Sequence, residues 1–225
     1  MIIYAKQSIY YMLDHHMDKI RKLYVAKDLP KDEFARLMRM GFELKRIPNE
    51  AATKMAKTTN HQGFVAEVEP LRLQDHREFL DHNFVLVLSS LTDIGNIGAI
   101  VRSAYALGVD AIIACGVKSL PFEGIVRSST ATIYDMPFAI VQNTLDVLND
   151  LATSGFTLYG ADMDGEDIRD AKIHPKRALV LGGEGEGLTR RVKQKLDKIV
   201  SIQMRAGFDS LNVNAAAAIL MDRMR

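Results

Sequence analysis

The chain has 225 residues, of which 48% are apolar and 25% charged, and this composition is typical of a globular protein with a sizeable core. Its net charge of +1 gives no overall attraction to nucleic acid, and no stretch approaches the run of about 20 apolar residues in a membrane span, so no membrane association is expected. The N-terminus lacks the features of a signal peptide. The single cysteine, Cys115, excludes an internal disulfide and suits a reducing cytoplasm. It also argues against a zinc site, so no metal is expected.

The first 70 residues alternate between helical and extended patterns. Apolar side chains at helical spacing predict a first helix between Ile9 and Met17. Pro30 is well placed to begin a second helix, which is expected to reach Met40. The further elements of this part are expected to be a helix at 49–57 and strands at 22–26, 44–47 and 64–68.

A change of pattern divides the chain. Residues 71–83 are polar and mixed in charge, which predicts a linker with a single helical turn between a unit at 1–70 and a larger one at 84–225. From Phe84 onward the chain has short, fully apolar runs, which suit strands buried on both faces of a parallel sheet. These strands are expected at 84–89, 109–114, 138–141, 156–161, 177–182 and 198–202.

Helical segments lie between the apolar runs. The segment 96–108 has helical periodicity, and so has 144–155, for which Thr144 is the expected cap and Gly155 the expected end. Strands that alternate with helices predict an α/β fold, a parallel sheet with helices on both faces. The smaller α/β unit precedes it.

The first candidate motif is TDIGNIGAIVRSA (92–104), which follows a strand at the sheet edge where open parallel folds bind ligands. Asn96 is expected to cap the following helix, while Gly95 and Gly98 leave room for close approach to the backbone. Arg102 lies about one and a half turns further on and is expected to face the same end. A capped helix with an ordinary surface arginine explains the same residues.

The second candidate is LGGEGEGL (181–188), where four glycines in six positions indicate that a ligand approaches the backbone closely. The spacing does not fit the G-x-G-x-x-G of dinucleotide-binding loops. Glu184 and Glu186 also disfavour a phosphate, because like charges about 4 Å apart cost about 1 kcal/mol in water and about 4 kcal/mol in a half-buried site. A ligand with positive charge and no phosphate fits better, and S-adenosylmethionine is such a ligand.

The third candidate is the C-terminal segment 201–225, which reads as a strand, a loop and an alanine-rich helix. Ser210, Asn212 and Asn214 cluster at the expected start of that helix, where exposed N–H groups favour anions. Capping accounts for one of the three. The other two indicate a binding site.

A basic run lies between the second and third candidates. Five of the 15 Lys and Arg in residues 84–225 fall in it: Arg190, Arg191, Lys193, Lys195 and Lys198. A solvated helix face and a phosphate-binding surface both explain such a run, and the sequence leaves the two open. In the smaller unit, 12 Lys and Arg against 9 Asp and Glu give residues 1–70 a local charge of +3.

In this order, the three segments resemble the signature of the SpoU (TrmH-like) RNA 2′-O-ribose methyltransferases of the SPOUT class. The resemblance runs from about Phe84 to the C-terminus, with N-x-G-x-x-x-R at 96–102, GGEGEGL at 182–188 and SLNV at 210–213. The first part of the chain, ending in HQGF (61–64), resembles the small ribosomal-protein-like RNA-binding domain of some members. The layout is similar to that of bacterial enzymes that methylate a guanosine of large-subunit ribosomal RNA.

The resemblance implies a fold, a cofactor and partners. It implies a deep trefoil knot at the C-terminal end of the sheet, with S-adenosylmethionine bent within it, although knots are very rare in general. It also implies a homodimer with the active site near the subunit interface. Residues 1–70 are expected to recruit the RNA substrate, with ribosomal RNA preferred over transfer RNA.

The resemblance also implies site residues. The cofactor-binding residues it implies are Gly182, Gly183, Glu184, Gly187, Ile202 and Leu211. The catalytic residues it implies are Asn96, Arg102, Glu184, Ser210 and Asn212.

The chain departs from the family pattern at four places. Ile94 and Gln203 stand where proline is usual, and Asn214 stands where serine is common. The S-x-G-A segment of the middle region reads STA at 129–131. Because proline restricts the backbone, we expect its absence at Ile94 and Gln203 to shift the loops and to leave the chemistry intact. The departure at Thr130 lies in the middle cofactor loop itself, so we expect it to affect that loop.

The expected chemistry assigns Arg102 an electrostatic role. A ribose hydroxyl is a poor nucleophile until its proton leaves, and the three motifs contain no histidine to remove it. The family resemblance implies that Arg102 takes this role, but arginine hardly ever deprotonates. We therefore expect Arg102 to bind the adjacent RNA phosphate and stabilise the alkoxide, while that phosphate or a water takes the proton.

Two other functional classes explain parts of the same pattern. A non-catalytic RNA-binding or ribosome-assembly factor could keep this fold, and cofactor binding would distinguish it. A dinucleotide-dependent enzyme is disfavoured by the spacing and the carboxylates of the glycine loop. The sequence does not specify the target nucleotide.

Overall fold

The N-terminal part of the chain forms a four-stranded mixed sheet with three helices. The computed structural model describes residues 1–183, 185, 187–205 and 210–225. The strands are β1 (Ile2–Tyr4), β2 (Ile20–Val25), β3 (Glu43–Arg46) and β4 (Phe64–Val68), in the order β1-β4-β2-β3. The helices are α1 (Lys6–His15), α2 (Lys31–Met38) and α3 (Asn49–Ala56). The predicted elements are confirmed within a few residues, and β1 is an additional strand whose three residues are too few to show alternation.

The C-terminal part forms a six-stranded sheet in which every pairing is parallel. Its strands are β5 (Phe84–Ser89), β6 (Ala111–Cys115), β7 (Phe138–Val141), β8 (Thr157–Asp167), β9 (Arg177–Gly182) and β10 (Lys198–Ser201). Their order is β10-β8-β9-β5-β6-β7. The helices are α4 (Ile94–Ala106), α5 (Phe122–Ser128), α6 (Thr144–Thr153), α7 (Arg190–Lys193) and α8 (Val213–Met224). The predicted α/β class with a parallel sheet is confirmed.

Both faces of this sheet are buried, as the continuous apolar runs require. Along β5, Leu86 and Leu88 pack into one apolar cluster, while Val85 and Val87 pack into a second one on the opposite face. All four side chains are at most 1% exposed. Alternate residues of one strand therefore fill two separate layers between sheet and helices.

Strand β8 extends further than its apolar run predicts. The expected end is residue 161, but β8 continues to Asp167 and pairs with β10 through a register shift between Ile199 and Val200. The extension carries polar side chains, so it gives no apolar signal. Gly165 permits the close pairing, because a Cβ there would lie 2.7 Å from the carbonyl carbon of Ile199.

Two predicted helix caps are wrong. Asp93, not Asn96, caps α4, since its Oδ1 accepts a hydrogen bond of 2.7 Å from the Asn96 backbone N–H. Asn143, not Thr144, caps α6 through the Leu145 N–H at 3.0 Å. In both cases a strong capping residue stands earlier in the sequence, and the helix begins there.

The two parts of the chain contact one another directly. The Tyr11 hydroxyl donates to Asp135 Oδ2 at 2.6 Å, and His16 Nε2 lies 3.0 Å from the same oxygen. The Tyr134 hydroxyl donates to the Glu69 carbonyl at 2.8 Å. The proposed boundary between the units is therefore bridged by polar contacts from helix α1 and from the residues that directly follow α1 and β4.

The segment between the two parts is held in place. A single turn of 3₁₀ helix at His76–Phe79 confirms the expected turn, and a capping box of Asp75 and Glu78 begins it. Although the segment is polar and mixed in charge, its Phe79 is fully buried. His76 Nε2 lies 2.8 Å from Asp150 of α6. Among the described residues, no helix has the length and apolar character needed to cross a membrane.

Candidate functional site

A cavity of about 600 Å³ opens at the carboxyl ends of strands β9 and β10, beside the middle of β8 and the start of α8. Much of its described lining is apolar, including Leu181, Val200, Ile202 and Leu220. This volume falls within the range of small-molecule sites, about 300–1,000 Å³. The position agrees with the rule that parallel sheets bind ligands at the carboxyl ends of their strands.

The glycine-rich loop forms one wall of the cavity with its backbone. A Cβ at Gly182 would lie 2.2 Å from the Gly187 carbonyl carbon, and a Cβ at Gly183 would lie 2.7 Å from the Ser90 carbonyl oxygen. The loop closes through a hydrogen bond of 3.1 Å from the Gly187 N–H to the Gly183 carbonyl. Side chains larger than hydrogen are therefore excluded at Gly182 and Gly183 by backbone that cannot move cheaply.

The structure brings most of the expected cofactor residues together. Those that line the cavity are Gly182, Gly183, Gly187, Ile202 and Leu211. Glu184, expected to have both a cofactor-binding and a catalytic role, lies outside the described residues, as does Glu186.

The start of α8 supplies polar groups to the same cavity. Ser210 and Asn212 both line it. Asn212 is the N-cap of α8, where its Oδ1 accepts from the Asn214 N–H at 2.9 Å. The Asn214 Nδ2 in turn donates to Asn96 Oδ1 at 2.9 Å. The first and third motifs are therefore joined by a side-chain hydrogen bond, and Asn96 is buried at this junction.

Arg102 is placed differently from Ser210 and Asn212, which line the cavity, and Asn96 is likewise not among the described lining residues. Arg102 lies on α4 with its side chain exposed to solvent. The described lining of the cavity does not include it. Within one chain, the structure does not bring Arg102 together with Ser210 and Asn212.

Gly98 has a close neighbour, but this neighbour is a helix. A Cβ at Gly98 would lie 1.9 Å from Ser128 Oγ of α5. The Ser128 hydroxyl also donates to the Ile94 carbonyl at 3.0 Å. The glycine of the first motif therefore lets α4 and α5 pack closely, and its role is in packing.

The middle segment contains two consecutive residues in the left-handed region. Thr130 has φ of 57° and Ala131 has φ of 65°. The Ala131 N–H donates to the Val126 carbonyl at 2.7 Å, which closes the turn after α5. A β-branched side chain is rare in this conformation. Thr130 therefore stands at a strained position of the turn.

Asp162 is a lining residue that the sequence patterns did not indicate. It is the only charged side chain among the described residues of the cavity wall. Its Oδ2 lies 2.5 Å from Lys193 Nζ. Its position just after the apolar run of β8 is the signal that could have identified it, because residues there meet the ligand edge of the sheet.

The basic run has two kinds of member. Lys193 is paired with Asp162, and Lys198 Nζ donates to the Lys172 carbonyl at 3.4 Å. The exposed members are Arg190, Arg191 and Lys195.

Comparisons with known proteins agree with this geometry. Residues 83–222 match the SpoU rRNA Methylase family, and residues 2–74 match a family described as RNA 2′-O ribose methyltransferase substrate binding. A 23S rRNA (guanosine-2′-O-)-methyltransferase RlmB of Vibrio cholerae is 28% identical, over 98% of this chain and 94% of that protein. A putative TrmH family tRNA/rRNA methyltransferase, YacO of Bacillus subtilis, is 31% identical over 90% of this chain and 86% of its own length.

Solved structures share the fold over the whole chain. The SpoU methyltransferase AviRb from Streptomyces viridochromogenes, in complex with the cofactor AdoMet, aligns with a TM-score of 0.77 at 25% identity, covering 99% of this chain and 88% of that one. An rRNA methyltransferase from Sinorhizobium meliloti aligns with a TM-score of 0.79 at 23% identity, covering 100% and 86%. From the family match over residues 83–222, the chain belongs to the SpoU rRNA methylase family.

Proposed function

We propose that this SpoU-family RNA 2′-O-ribose methyltransferase binds S-adenosylmethionine in the cavity of the glycine-rich loop and methylates a ribose of ribosomal RNA. The observation that carries the proposal is the cavity wall: glycine backbone, apolar side chains and one carboxylate, Asp162. No described lining residue is basic. Such a wall suits a cationic, phosphate-free ligand better than a nucleotide phosphate.

The described residues fit S-adenosylmethionine. Gly182 and Gly183 form a cradle that a Cβ would fill, and the apolar wall offers contacts to an adenosyl group. Ser210 and Asn212 add polar groups at the start of α8. When bound, the cofactor supplies an electrophilic methyl group. The chain's residues hold the cofactor, exclude water and position the ribose hydroxyl. This positioning accounts for much of the rate enhancement of such a transfer.

Calorimetry tests the cofactor assignment. The protein is expected to bind S-adenosylmethionine, and tighter binding of NADH or ATP would overturn the assignment in favour of a dinucleotide or nucleotide enzyme. Binding of S-adenosylmethionine without any methyl transfer to RNA would instead favour a non-catalytic RNA-binding factor.

Ribosomal RNA is the proposed substrate. The relative from Vibrio cholerae is named as an enzyme of 23S rRNA, and this chain covers 94% of its length. Transfer RNA is the alternative, because the Bacillus subtilis relative is named for both RNA classes. Mapping ribose methylation in total RNA from cells with and without the protein will distinguish them.

The domain organisation belongs to the same proposal. Residues 1–70 would recruit RNA, 71–83 would link the units, and 84–225 would carry the chemistry. The local charge of +3 in residues 1–70 and the match of 2–74 to a substrate-binding family support this division. The proposal also includes a C-terminal trefoil knot. It is supported by the return of the segment around Ile202 and Leu211 to the cavity formed by Gly182 and Gly183.

A homodimer completes the proposed site. Arg102 is exposed and outside the described cavity lining of its own chain, so a second copy is proposed to bring its Arg102 to this cavity. Chains with Arg102→Ala can be mixed with chains in which Ala216→Trp fills the cavity. If Arg102 serves the partner's cavity, mixed dimers regain one active site. If the mixture stays inactive although dimers form, Arg102 does not act across the interface.

A further inference from the structure

Asp162 and Lys193 form a charge pair at the wall of the cavity. Asp162 Oδ2 and Lys193 Nζ lie 2.5 Å apart, and the Asp162 side chain is 16% exposed. The other carboxylate oxygen accepts a hydrogen bond of 3.4 Å from the Asp164 N–H. Asp162 is therefore paired with a cation of α7 and is at the same time a residue of the cavity wall.

The pair matters because the proposed cofactor and its product differ in charge. S-adenosylmethionine carries a sulfonium that S-adenosylhomocysteine lacks, and the two are otherwise nearly the same in shape. Apolar contacts and the glycine cradle therefore bind both molecules about equally. A charged side chain in the wall is the kind of group that can distinguish them, and Asp162 is the only one among the described lining residues.

We propose that the Asp162–Lys193 pair sets the preference of the cavity for S-adenosylmethionine over S-adenosylhomocysteine, an inference that rests on the proposed function. Asp162 favours the sulfonium, and Lys193 limits this preference by neutralising the carboxylate. Neither residue touches the reacting atoms in this proposal; they act on the relative affinity for cofactor and product. The cavity therefore binds S-adenosylmethionine more tightly than S-adenosylhomocysteine, and Lys193 limits the difference between the two affinities.

Calorimetric Kd values for both ligands test the pair without RNA or turnover. In Asp162→Asn the unpaired Lys193 is expected to weaken S-adenosylmethionine binding about fivefold to tenfold more than S-adenosylhomocysteine binding, the order of effect of one charge about 4 Å away that is screened by water. In Lys193→Gln the change is expected in the opposite direction. The double variant is expected to give a ratio of the two Kd values between those of the single variants, with a weaker preference for S-adenosylmethionine than the wild type has.

Two further probes separate charge from shape. Sinefungin, which carries an amine in place of the methylsulfonium, is expected to follow S-adenosylmethionine in every variant. Asp167→Asn is the matched control, because Asp167 lies on the same strand and pairs with Arg169 at 2.5 Å but is not part of the described lining. It is expected to leave the ratio unchanged.

The outcomes are distinguishable. If the single variants change both Kd values by the same factor, the pair has a structural role and the inference is overturned. If the wild-type protein binds neither ligand, the proposed function itself fails. A ratio that shifts in opposite directions for the two single variants supports the inference.

Discussion

Asn214 Nδ2 donates a hydrogen bond of 2.9 Å to Asn96 Oδ1, across 118 residues of sequence. This bond joins the start of α8, which lines the cavity, to the first turn of α4. Arg102 lies further along the same helix α4. The bond depends on the length and the amide of the Asn214 side chain, so Asn214 directly connects the first and third motifs.

Replacing either residue of this bond is expected to lower stability. Asn96→Ala or Asn214→Ala removes one side of a hydrogen bond at a buried position, which costs about 1–3 kcal/mol in the free energy of unfolding. The double variant should cost less than the sum, with a coupling of about 0.5–3 kcal/mol. Denaturant unfolding of the three variants measures it. Asp93→Ala removes only the helix cap and is the control; it should lower the free energy of unfolding by about 1 kcal/mol without coupling to Asn214. If the losses of stability at Asn96 and Asn214 are strictly additive, the bond contributes nothing.

The glycine loop gives a prediction about binding. In Gly182→Ala the new Cβ would meet the Gly187 backbone at 2.2 Å, so the loop must move and cofactor affinity should fall by at least about tenfold. Gly155→Ala is the control, because Gly155 has φ of 84° but nothing within 4 Å of the added Cβ. That variant should lose about 1–2 kcal/mol of stability and keep its Kd for S-adenosylmethionine. Equal affinities in both variants would mean that the loop does not hold the cofactor.

The apolar runs predicted the sheet well because its strands are buried on both faces, so each strand leaves an uninterrupted signal. Helix starts were harder, since Asp93 and Asn143 compete with the later residues Asn96 and Thr144 for the cap. Such competition depends on backbone geometry that residue types alone do not reveal.

Residue type and spacing indicated the glycines of the loop and the polar residues at the start of the last helix, whereas Ile202 and Leu211 were implied only by the family resemblance. The structure places Gly182, Gly183, Gly187, Ile202, Ser210, Leu211 and Asn212 on one cavity. Asp162 could not be predicted in the same way, because it follows the apolar run of β8 in a polar extension. The contact between Gly98 and Ser128 could not be predicted from the sequence either, because the packing of α4 against α5 brings the two residues together.

The exposed members of the basic run give a prediction about RNA. If Arg190 and Arg191 bind phosphates, replacing both with alanine should flatten the dependence of RNA affinity on salt by roughly one unit of slope for each phosphate that is no longer bound. Lys198→Gln is the comparison, because its Nζ already donates to the Lys172 carbonyl, and a smaller change is expected. Binding titrations at several salt concentrations measure the slopes. An unchanged slope in the double variant would make the run a solvated helix face.

Cys115 gives a prediction about pH. Burial raises the pKa of its thiol to about 12, whereas the pKa of a cysteine thiol in the unfolded chain is about 8.5. The folded state thus keeps its proton over a range where the unfolded state loses it, so this thiol's contribution to stability is complete below about pH 8.5 and declines as the pH rises toward 12. At pH 8, iodoacetamide should label the native protein far more slowly than the unfolded protein. Similar labelling rates would contradict the buried, protonated thiol.

Arg102 gives the prediction with the largest effect on rate. Because its side chain is exposed, Arg102→Ala should leave the fold and cofactor affinity nearly intact. Methyl transfer should fall by about 10² or more, the usual loss when one preorganised electrostatic donor is removed. Arg102→Lys should restore little, because lysine lacks the planar, forked contact to phosphate. Single-turnover rates measure both variants, and near-normal turnover in Arg102→Ala would remove Arg102 from the site.

The proposed reaction, transfer of a methyl group from S-adenosylmethionine to a ribose 2′-hydroxyl of ribosomal RNA, can be observed directly. The protein is incubated with isotopically labelled cofactor and unmodified ribosomal RNA, and the labelled nucleoside is identified by mass spectrometry after digestion. Label is expected on a single 2′-O-methylated nucleoside, strongly reduced in Arg102→Ala. Label on a base, or no label although the cofactor binds, would contradict the proposed reaction.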